Sequence, residues 1–393
     1  MIDVRVVTID RYPSGQTYIW NNLPNVRYKF VLNDKGEASW DVPLSYTPSP
    51  EHPESQALTA DAFGPLASDY RIGVNWDGIG WETVHEGIVG PVGMKSDEQI
   101  VKVQGYDYLW WLDQPYHFSG YPILDPLNWN PTTDVVRFWP VNTNQRTIIT
   151  DLLTDMYTTA LQSVRIQPVF EGEATSWTQV LFKFMMLGDT TTVLDTIKAI
   201  GELNEPYGFE FWMEKDKFLH MASPRRVTQA AAAGIEIASF RPSSGSLIDI
   251  DWTNSGPKAI STVGIPPEGI ALHGYSTYTP SKDTYRNWLE IVNFNDAFRM
   301  RKQSHVNAAT DSVGTLHRYP QKTLSITIKP DAINGDELFF HRSQVGNYVY
   351  VDSEEWFKPY HRIQAWFKIT SQELLTDNAS NWTCKLTLDQ VYA

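Results

Sequence analysis

Residues 70–76 have the sequence Tyr-Arg-Ile-Gly-Val-Asn-Trp, in which large apolar side chains alternate with polar or small ones. A period of two is typical of a β-strand that buries one face, because successive side chains point to opposite sides of a sheet. The dipeptide Asp77-Gly78 predicts a turn after this strand, and residues 82–89 predict the returning strand. Residues 100–105 predict a third strand after a polar turn. Together these patterns predict an antiparallel three-stranded meander.

A hairpin is predicted before this meander. Residues 27–32 and 38–44 flank the turn sequence Asn33-Asp34-Lys35-Gly36. Residues 43–65 then carry several prolines, which are incompatible with a central strand or a helix. We therefore expect a first β module, including the aromatic loop that follows it, at residues 1–140.

Residues 106–140 form an irregular, strongly aromatic segment that is interrupted by prolines. An irregular segment longer than about 12–15 residues is usually an interaction or functional loop, and aromatic side chains are enriched at the centres of protein interfaces. The loop is therefore a candidate partner interface, with local core packing for the first module as the alternative. Its candidate contact residues are Trp110, Trp111, Tyr121, Trp129, Phe138 and Trp139.

The next part of the chain has helical periodicity and a different texture. Apolar residues from Ile148 to Leu161 recur on one helical face, and Val193, Leu194, Ile197 and Ile200 predict a second helix. Residues 208–213 and 218–221 flank a charged turn and predict another hairpin. We expect a small α/β insert domain at residues 141–235.

The remaining residues, 236–393, return to β patterns. Strands are predicted at residues 324–328, 347–351, 361–369 and 382–388, with one weaker helical segment at residues 296–309. The last three strands predict a second meander of about the same span as the first. The predicted fold class is α+β and β-dominated, with two similar β-barrel-like modules separated by the small α/β insert.

Composition narrows the classes of function. The 393 residues suggest two to four domains at roughly 100–200 residues each, and a formal charge of −14 disfavours a protein that grips the phosphates of duplex nucleic acid. The single cysteine, Cys384, excludes an intramolecular disulfide and a multi-thiolate zinc site. Since the sequence has neither a membrane-spanning apolar run nor a signal-peptide layout at its start, we expect folding in a bacterial cytoplasm.

No motif predicts a catalytic residue, a metal site or a cofactor. The glycines of residues 87–93 have phosphate-loop spacing, but Pro91 lies among them and no helix pattern follows. Asp249 resembles the first ligand of a calcium loop, yet Asn254 and Ile260 stand where glycine and glutamate are required. The histidines are scattered, and Cys384 falls on the apolar side of a predicted strand.

A glycosidase or carbohydrate-binding protein is the rival prediction. Glu82 with Glu86, or Glu171 with Glu173, could supply the two carboxylates of glycoside hydrolysis, and the aromatic loop could stack sugar rings. With 46 acidic residues in the chain, however, close pairs arise by chance. We therefore predict no enzyme.

The joint layout and several local matches resemble the hub proteins at the distal end of bacteriophage tails. Residues 208–213 with 217–225 look like the strand pair after the insert's helix in siphophage minor tail proteins. The first module is matched by residues 57–60, 69–74, 87–90 and 105–107, and the last module by residues 345–349 and 385–388. A contractile-injection or gene-transfer component would share the same hub fold.

The resemblance implies a structural virion protein at the tail tip, or baseplate. It implies a homotrimer whose six β modules close a pseudo-sixfold ring that joins the tail tube to a receptor-binding or spike assembly. The implied partners are a distal tail or tube protein ring, the tape-measure protein and a tail-tip fibre or spike protein. DNA would only pass through the channel, and no cofactor is implied.

Overall fold

The computed structural model describes residues 2–11, 17–44, 63–76, 80–95, 97, 99–114, 135–138, 143–159, 164–172, 177, 184–186, 192–201, 208–223, 238–255, 262–265, 274–277, 289–291, 307, 321–329, 342–354, 362–378 and 381–391. This part of the chain is β-dominated, as the sequence predicts.

The strands, in chain order, are β1 (Ile2–Asp10), β2 (Thr17–Asn21), β3 (Arg27–Val31), β4 (Glu37–Pro43), β5 (Ser68–Trp76), β6 (Trp81–Lys95), β7 (Ile100–Asp107), β8 (Val135–Phe138), β9 (Gln167–Glu171), β10 (Phe184–Met186), β11 (Glu210–Met213), β12 (Phe218–Ala222), β13 (Ala238–Phe240), β14 (Leu247–Ser255), β15 (Thr262–Ile265), β16 (Gly274–Thr277), β17 (Leu289–Ile291), β18 (Gln321–Ile328), β19 (Tyr348–Asp352), β20 (Gln364–Asn378) and β21 (Asn381–Gln390). The helices are α1 (Leu109–Leu112), α2 (Gln145–Thr159) and α3 (Val193–Gly201). Short 3-10 turns occur at Lys215–Lys217 and Pro242–Ser244.

Thirteen of these strands form one main sheet. Its path runs β14-β18-β21-β20-β3-β4-β7-β6-β5-β1-β2, with β19 beside β20 and β13 beside β19. The predicted β3–β4 hairpin and the predicted β5–β6–β7 and β19–β20–β21 meanders are all present and antiparallel. Pairing between β20 and β3 joins strands from both ends of the chain into a single sheet.

The expected barrel-like shape of each β module is wrong for the part of the chain that the structure describes. There the main sheet is open, with β14 and β2 at the two ends of its path. The physical reason is the β3–β20 pairing: each set of strands uses an edge to bind the other set, so neither set closes on itself.

The alternation in β5 places one face of the sheet in the core. Tyr70, Ile72 and Val74 are at most 1% exposed, whereas Arg71 lies on the solvent side. Gly105 allows the close approach of Tyr70, because a Cβ atom at Gly105 would lie 2.4 Å from a carbon of the Tyr70 ring. The core of the main sheet is therefore built by the period of two together with a glycine opposite a large ring.

A second hydrophobic core lies between the helices and a smaller sheet. Strands β11, β12 and β9 form this sheet, in which β12 is antiparallel to β11 and parallel to β9. The predicted helices α2 and α3 bury their apolar faces here, and α1 contributes Leu109 and Leu112. The predicted hairpin at β11 and β12 is also present.

The segment 106–140 is less irregular than predicted, because α1 and β8 lie within it. Just before α1, the Asp107 carboxylate accepts a hydrogen bond from the backbone N–H of Leu109, the first residue of the helix. Strand β8 pairs with β10, a partner that is distant in sequence and that no local pattern could indicate. The helix predicted at residues 296–309 lies outside the described residues, apart from Asn307.

Candidate partner interface

Helix α1 positions two of the six predicted contact residues. It follows β7 directly, and Leu109 and Leu112 anchor it because both are buried in the second core. Trp110 and Trp111 lie between these anchors and remain half-buried. The local sequence therefore holds two half-buried indole rings, which also pack against the second core, on a fixed backbone.

Both indoles belong to a stacked group that we call the α1 aromatic cluster, consisting of Tyr106, Trp110 and Trp111. The Tyr106 and Trp110 rings stack with centroids 5.8 Å apart and planes 12° apart, and Trp110 meets Trp111 edge to face at 5.2 Å. The Arg11 guanidinium lies 5.5 Å from the centroid of the Trp111 ring. Aromatic pairs and a cation–π contact hold side chains in one orientation, which lowers the entropy lost when a partner binds.

The other predicted contact residues are not brought into this cluster by any described contact. Phe138 is placed only through its backbone, in β8. Tyr121, Trp129 and Trp139 lie outside the described residues. The six-residue interface therefore remains a prediction, of which the α1 aromatic cluster is the described part.

A polar junction that the sequence did not reveal connects the main sheet to the second core. It is centred on the β3–β4 turn. Asn33 exchanges two hydrogen bonds with the Phe211 backbone, at 2.8 and 2.9 Å. Asp34 binds the Lys198 ammonium of α3 at 2.8 Å, and Lys35 forms an ion pair with Asp113 just after α1. The sequence showed these residues only as a turn, because their partners lie far along the chain.

Asp107 is the buried carboxylate of this junction. Its Oδ2 accepts a hydrogen bond from the Gly36 N–H at 2.6 Å, and its Oδ1 accepts one from the Leu109 N–H at 2.9 Å. Burial is the largest influence on the group and raises its pKa from 3.8 to about 7, although these two hydrogen bonds oppose the rise. Gly36 is required at the contact, since a Cβ atom there would lie 2.4 Å from the Lys29 carbonyl oxygen.

His85 is a second buried titratable group near this junction. Its Nδ1 lies 3.0 Å from the Tyr70 hydroxyl and its Nε2 lies 3.3 Å from the Lys29 carbonyl oxygen. Burial lowers the pKa of the imidazole from 6.5 to about 4, because the charged form is poorly solvated there. His85 is therefore neutral at neutral pH and serves as a packed, hydrogen-bonded core residue.

The carboxylates of the rival glycosidase prediction are engaged in structural contacts. Glu82 bridges Lys215 and Arg342, at 3.2 and 2.8 Å, and these two cations lower its pKa despite partial burial. Glu86 is buried and accepts a hydrogen bond from the Lys217 backbone N–H at 2.9 Å. Glu171, of the second predicted pair, lies 2.9 Å from His220, whereas Glu173 is outside the described residues.

The described residues contain no group of three or more His, Cys, Asp or Glu side chains arranged to hold a metal ion. Cys384 is fully buried, and burial raises the pKa of its thiol above the usual value, so it packs as a small apolar side chain.

No helix in the described part has the length and apolar character needed to cross a membrane.

Comparison with solved structures finds the same fold in proteins of very different sequence. The chain superimposes on the tail protein from Neisseria meningitidis MC58 with a TM-score of 0.59 and 15% identity, covering 98% of this chain and 96% of that one. The 43 kDa tail protein of prophage MuSo2 from Shewanella oneidensis superimposes with a TM-score of 0.59 and 12% identity. This match covers 98% of this chain and 97% of that one. Prophage tail protein gp18 from Listeria monocytogenes EGD-e superimposes with a TM-score of 0.52 and 11% identity. This match covers 98% of this chain and 94% of that one.

No protein-family model matches the sequence, and no curated protein matches it either. The likeness therefore lies in the backbone arrangement, and it extends over nearly the whole chain and nearly the whole of each of the three structures. The chain has the fold of phage tail proteins.

Proposed function

We propose that this chain is a structural protein of a phage-type tail, forming the hub at the tail tip that joins the tail tube to a receptor-binding or spike assembly. The observation that carries this proposal is the fold match over 98% of the chain to proteins described as tail proteins. A virion structural role needs no catalytic site, and the structural contacts of Glu82, Glu86 and Glu171 support this part of the proposal.

The hub is a homotrimer in this proposal. In the described part of the main sheet, β14 and β2 each pair with a neighbour on one side only. An open sheet edge presents unpaired backbone N–H and C=O groups, which natural proteins cover or pair. Edge contacts between copies would cover these strands and close a ring.

The proposed ring is built from two β modules in each copy, at residues 1–140 and 236–393, with residues 141–235 as an insert. A second hydrophobic core built mainly from residues of the insert supports the separation of the insert from the main sheet, whose single core contains side chains of both β modules. The β3–β20 pairing would then be the joint between the two modules of one copy.

The α1 aromatic cluster is proposed as the described part of the surface that binds neighbouring tail proteins. Candidate neighbours are the distal tail or tube protein ring, the tape-measure protein and a tip fibre or spike protein. Its indoles are held in place by stacking and by the buried anchors of α1, which suits a surface that must bind without reordering.

Mass photometry of the purified protein tests the trimer, and a structure of the particle tests its position. We expect a species of three times 44.8 kDa and density for the chain at the tail tip. A protein that stays monomeric at micromolar concentration and is also monomeric in particles would refute the proposal.

Variants of the aromatic surface test the partner contact separately. Trp110→Ala, and the double change Trp129→Ala with Trp139→Ala, should impair particle assembly while the isolated chain keeps its melting temperature within a few degrees. Loss of folding in the isolated chain would instead assign these residues to core packing. Trp366→Ala is the matched control, because Trp366 is a partly exposed indole on β20 whose ring contacts Tyr350 and does not belong to the α1 aromatic cluster.

A further inference from the structure

A small cavity at one end of the main sheet has the lining of a binding site. It has a volume of about 180 Å³ and lies among β14, β18, β20 and β21, and every residue that lines it belongs to the described part. Drug-sized ligands occupy pockets of roughly 300–1,000 Å³. This cavity therefore has room for a ligand of about one ring.

The walls combine one aromatic surface with an apolar floor. Phe367 is fully buried in the main core and forms part of the floor, and the half-buried indole of Trp252 forms a wall. A flat indole in the wall of a cavity favours a ligand with a flat apolar face. The C–H face of a pyranose ring has this character.

Two cationic side chains line the cavity, in a chain whose formal charge is −14. They belong to Lys322 and Arg362. Arg362 is already paired, since its Nε and Nη2 bind Asp352 at 2.9 and 2.7 Å. Among the described residues no carboxylate forms an ion pair with Lys322, so its ammonium is the group in this lining that would attract an anion.

Two carboxamides complete the lining, and one has an unused acceptor. Gln364 is held by a hydrogen bond from its Nε2 to Asp352 at 3.2 Å, so its position is fixed before any ligand arrives. The Oε1 atom of Gln390 is buried and receives no hydrogen bond within the described part of the protein. A buried acceptor without a donor is costly, and a ligand that brings a hydroxyl group would satisfy it.

We propose that this cavity binds a single carboxylated sugar ring, with its carboxylate at Lys322, its hydroxyl groups at Gln364 and Gln390, and its apolar face on Trp252. A carboxylate on a partner protein's side chain would also bind Lys322, but it would leave the Gln390 acceptor without a donor. The site lies away from the α1 aromatic cluster and does not depend on the proposed role in a tail.

Isothermal titration calorimetry with four probes tests the assignment. The probes are glucuronic acid, methyl β-glucuronide, the neutral methyl β-glucoside and acetyl-aspartate methylamide. We expect both acidic sugars to bind at least about tenfold more tightly than the neutral sugar, because a hydrogen bond to a charged group is worth about that factor. Equal binding of the glucuronide and the glucoside, no saturable sugar binding, or tighter binding of the aspartate probe would overturn the proposal.

A pair of lysine variants locates the binding. Lys322→Gln should remove the tenfold advantage of the acidic sugars, whereas Lys329→Gln, which changes an exposed lysine just beyond the same strand, should leave it unchanged. An unchanged advantage in the Lys322→Gln protein would refute the site. Comparing the two acidic sugars separates the sources: the methyl glycoside represents the end of a polysaccharide, and the free acid represents a small metabolite.

Discussion

Asp107 and His85 show how single buried groups determine the electrostatics of the junction between the two cores. Both are fully enclosed, but burial acts in opposite directions on them, since it favours the neutral form of each. The pKa of Asp107 is raised to about 7 and the pKa of His85 is lowered to about 4. Their contributions to stability should therefore have opposite slopes with pH.

The first prediction concerns the separate effects of Asp107 and His85 on how the stability of the protein changes with pH. The folded state binds the Asp107 proton more tightly than the unfolded chain does, so this group makes stability fall as the pH rises from about 4 to about 7. The folded state binds the His85 proton less tightly, so this group makes stability rise between about pH 4 and pH 6.5. Relative to the wild-type profile, Asp107→Asn should shift the slope of stability with pH upward over this range, and His85→Gln should shift it downward.

Urea denaturation at several pH values measures both profiles against the wild-type protein. The slope of the wild-type profile should lie between the slopes of the two variants, because the Asp107 and His85 contributions partly cancel. Parallel profiles for the three proteins would contradict the assignment of these groups as the source of the slopes.

A buried ion pair leads to the second prediction. Lys368 of β20 binds Glu210 of β11, and their side chains are 7% and 5% exposed. Lys368→Met should destabilise the protein by about 3–5 kcal/mol, because it leaves an uncompensated carboxylate inside the protein. Adding Glu210→Leu should restore most of the loss, since two apolar side chains need no partner.

Thermal unfolding of the wild-type protein, the single variant and the double variant measures this recovery. A double variant that is no more stable than Lys368→Met would show that the pair holds the two cores together through more than charge compensation.

At the scale of elements, the β3–β20 pairing is the feature that makes one sheet from two sets of strands. A row of charged side chains crosses the β3–β20 pairing on the solvent face of the main sheet. Lys385, Glu373, Lys29 and Glu37 follow one another on β21, β20, β3 and β4 as direct cross-strand neighbours. Alternating charges on adjacent strands attract each other and favour this register over a slipped one.

The third prediction is that Glu373→Lys weakens this row. Glu373 faces Lys385 and Lys29 and also binds Arg27 at 2.7 Å, so the change places four cations together. We expect a loss of about 1 kcal/mol, since exposed pairs contribute about 0.2–1 kcal/mol each. Adding Lys29→Glu should recover part of the loss.

Asp251→Lys provides the control for this experiment, because Asp251 is exposed on β14 and faces the neutral Ser325. Melting temperatures at low and high salt are the measurement. The decrease in melting temperature caused by Glu373→Lys should be smaller at high salt, because exposed charges are screened there. A defect that does not depend on salt would contradict the electrostatic explanation.

At the scale of the whole molecule, the net charge matters for the proposed ring, through which DNA would pass. Three copies at −14 each would carry a formal charge of −42. The described solvent face of β14, β18 and β21 carries the carboxylates Asp249, Asp251 and Asp389 and short hydroxyl side chains, together with Lys385. Walls of this kind repel phosphate or leave it unbound, whereas basic walls would bind it.

The fourth prediction is that the assembled protein does not retain DNA. A mobility-shift assay at low salt should show no complex with the wild-type protein. Replacing both Asp249 and Asp251 by lysine should produce a complex that dissociates as salt is added, if this face lines the channel. DNA binding by the wild-type protein, or a channel lined mainly by Lys and Arg in a particle structure, would contradict the prediction.

Local pattern alone determined most of the individual elements. The alternation of Tyr70, Ile72 and Val74 predicts β5, and the helical spacing of Leu152 and Ile197 with their neighbours predicts α2 and α3. These predictions succeed because a period of two or of 3.6 residues follows from backbone geometry and is complete within a few residues. The position of Trp110 and Trp111 in an aromatic segment was likewise visible from composition.

Only the tertiary structure decided which elements meet. The pairing of β3 with β20, the tie between Asp34 and Lys198 and the buried pair of Lys368 and Glu210 join residues more than 150 positions apart. No local period encodes such contacts, because each depends on how the intervening chain folds and on the burial that raises or lowers a pKa. A hairpin sequence can therefore predict its own turn, but not the helix and strand that its turn residues bind.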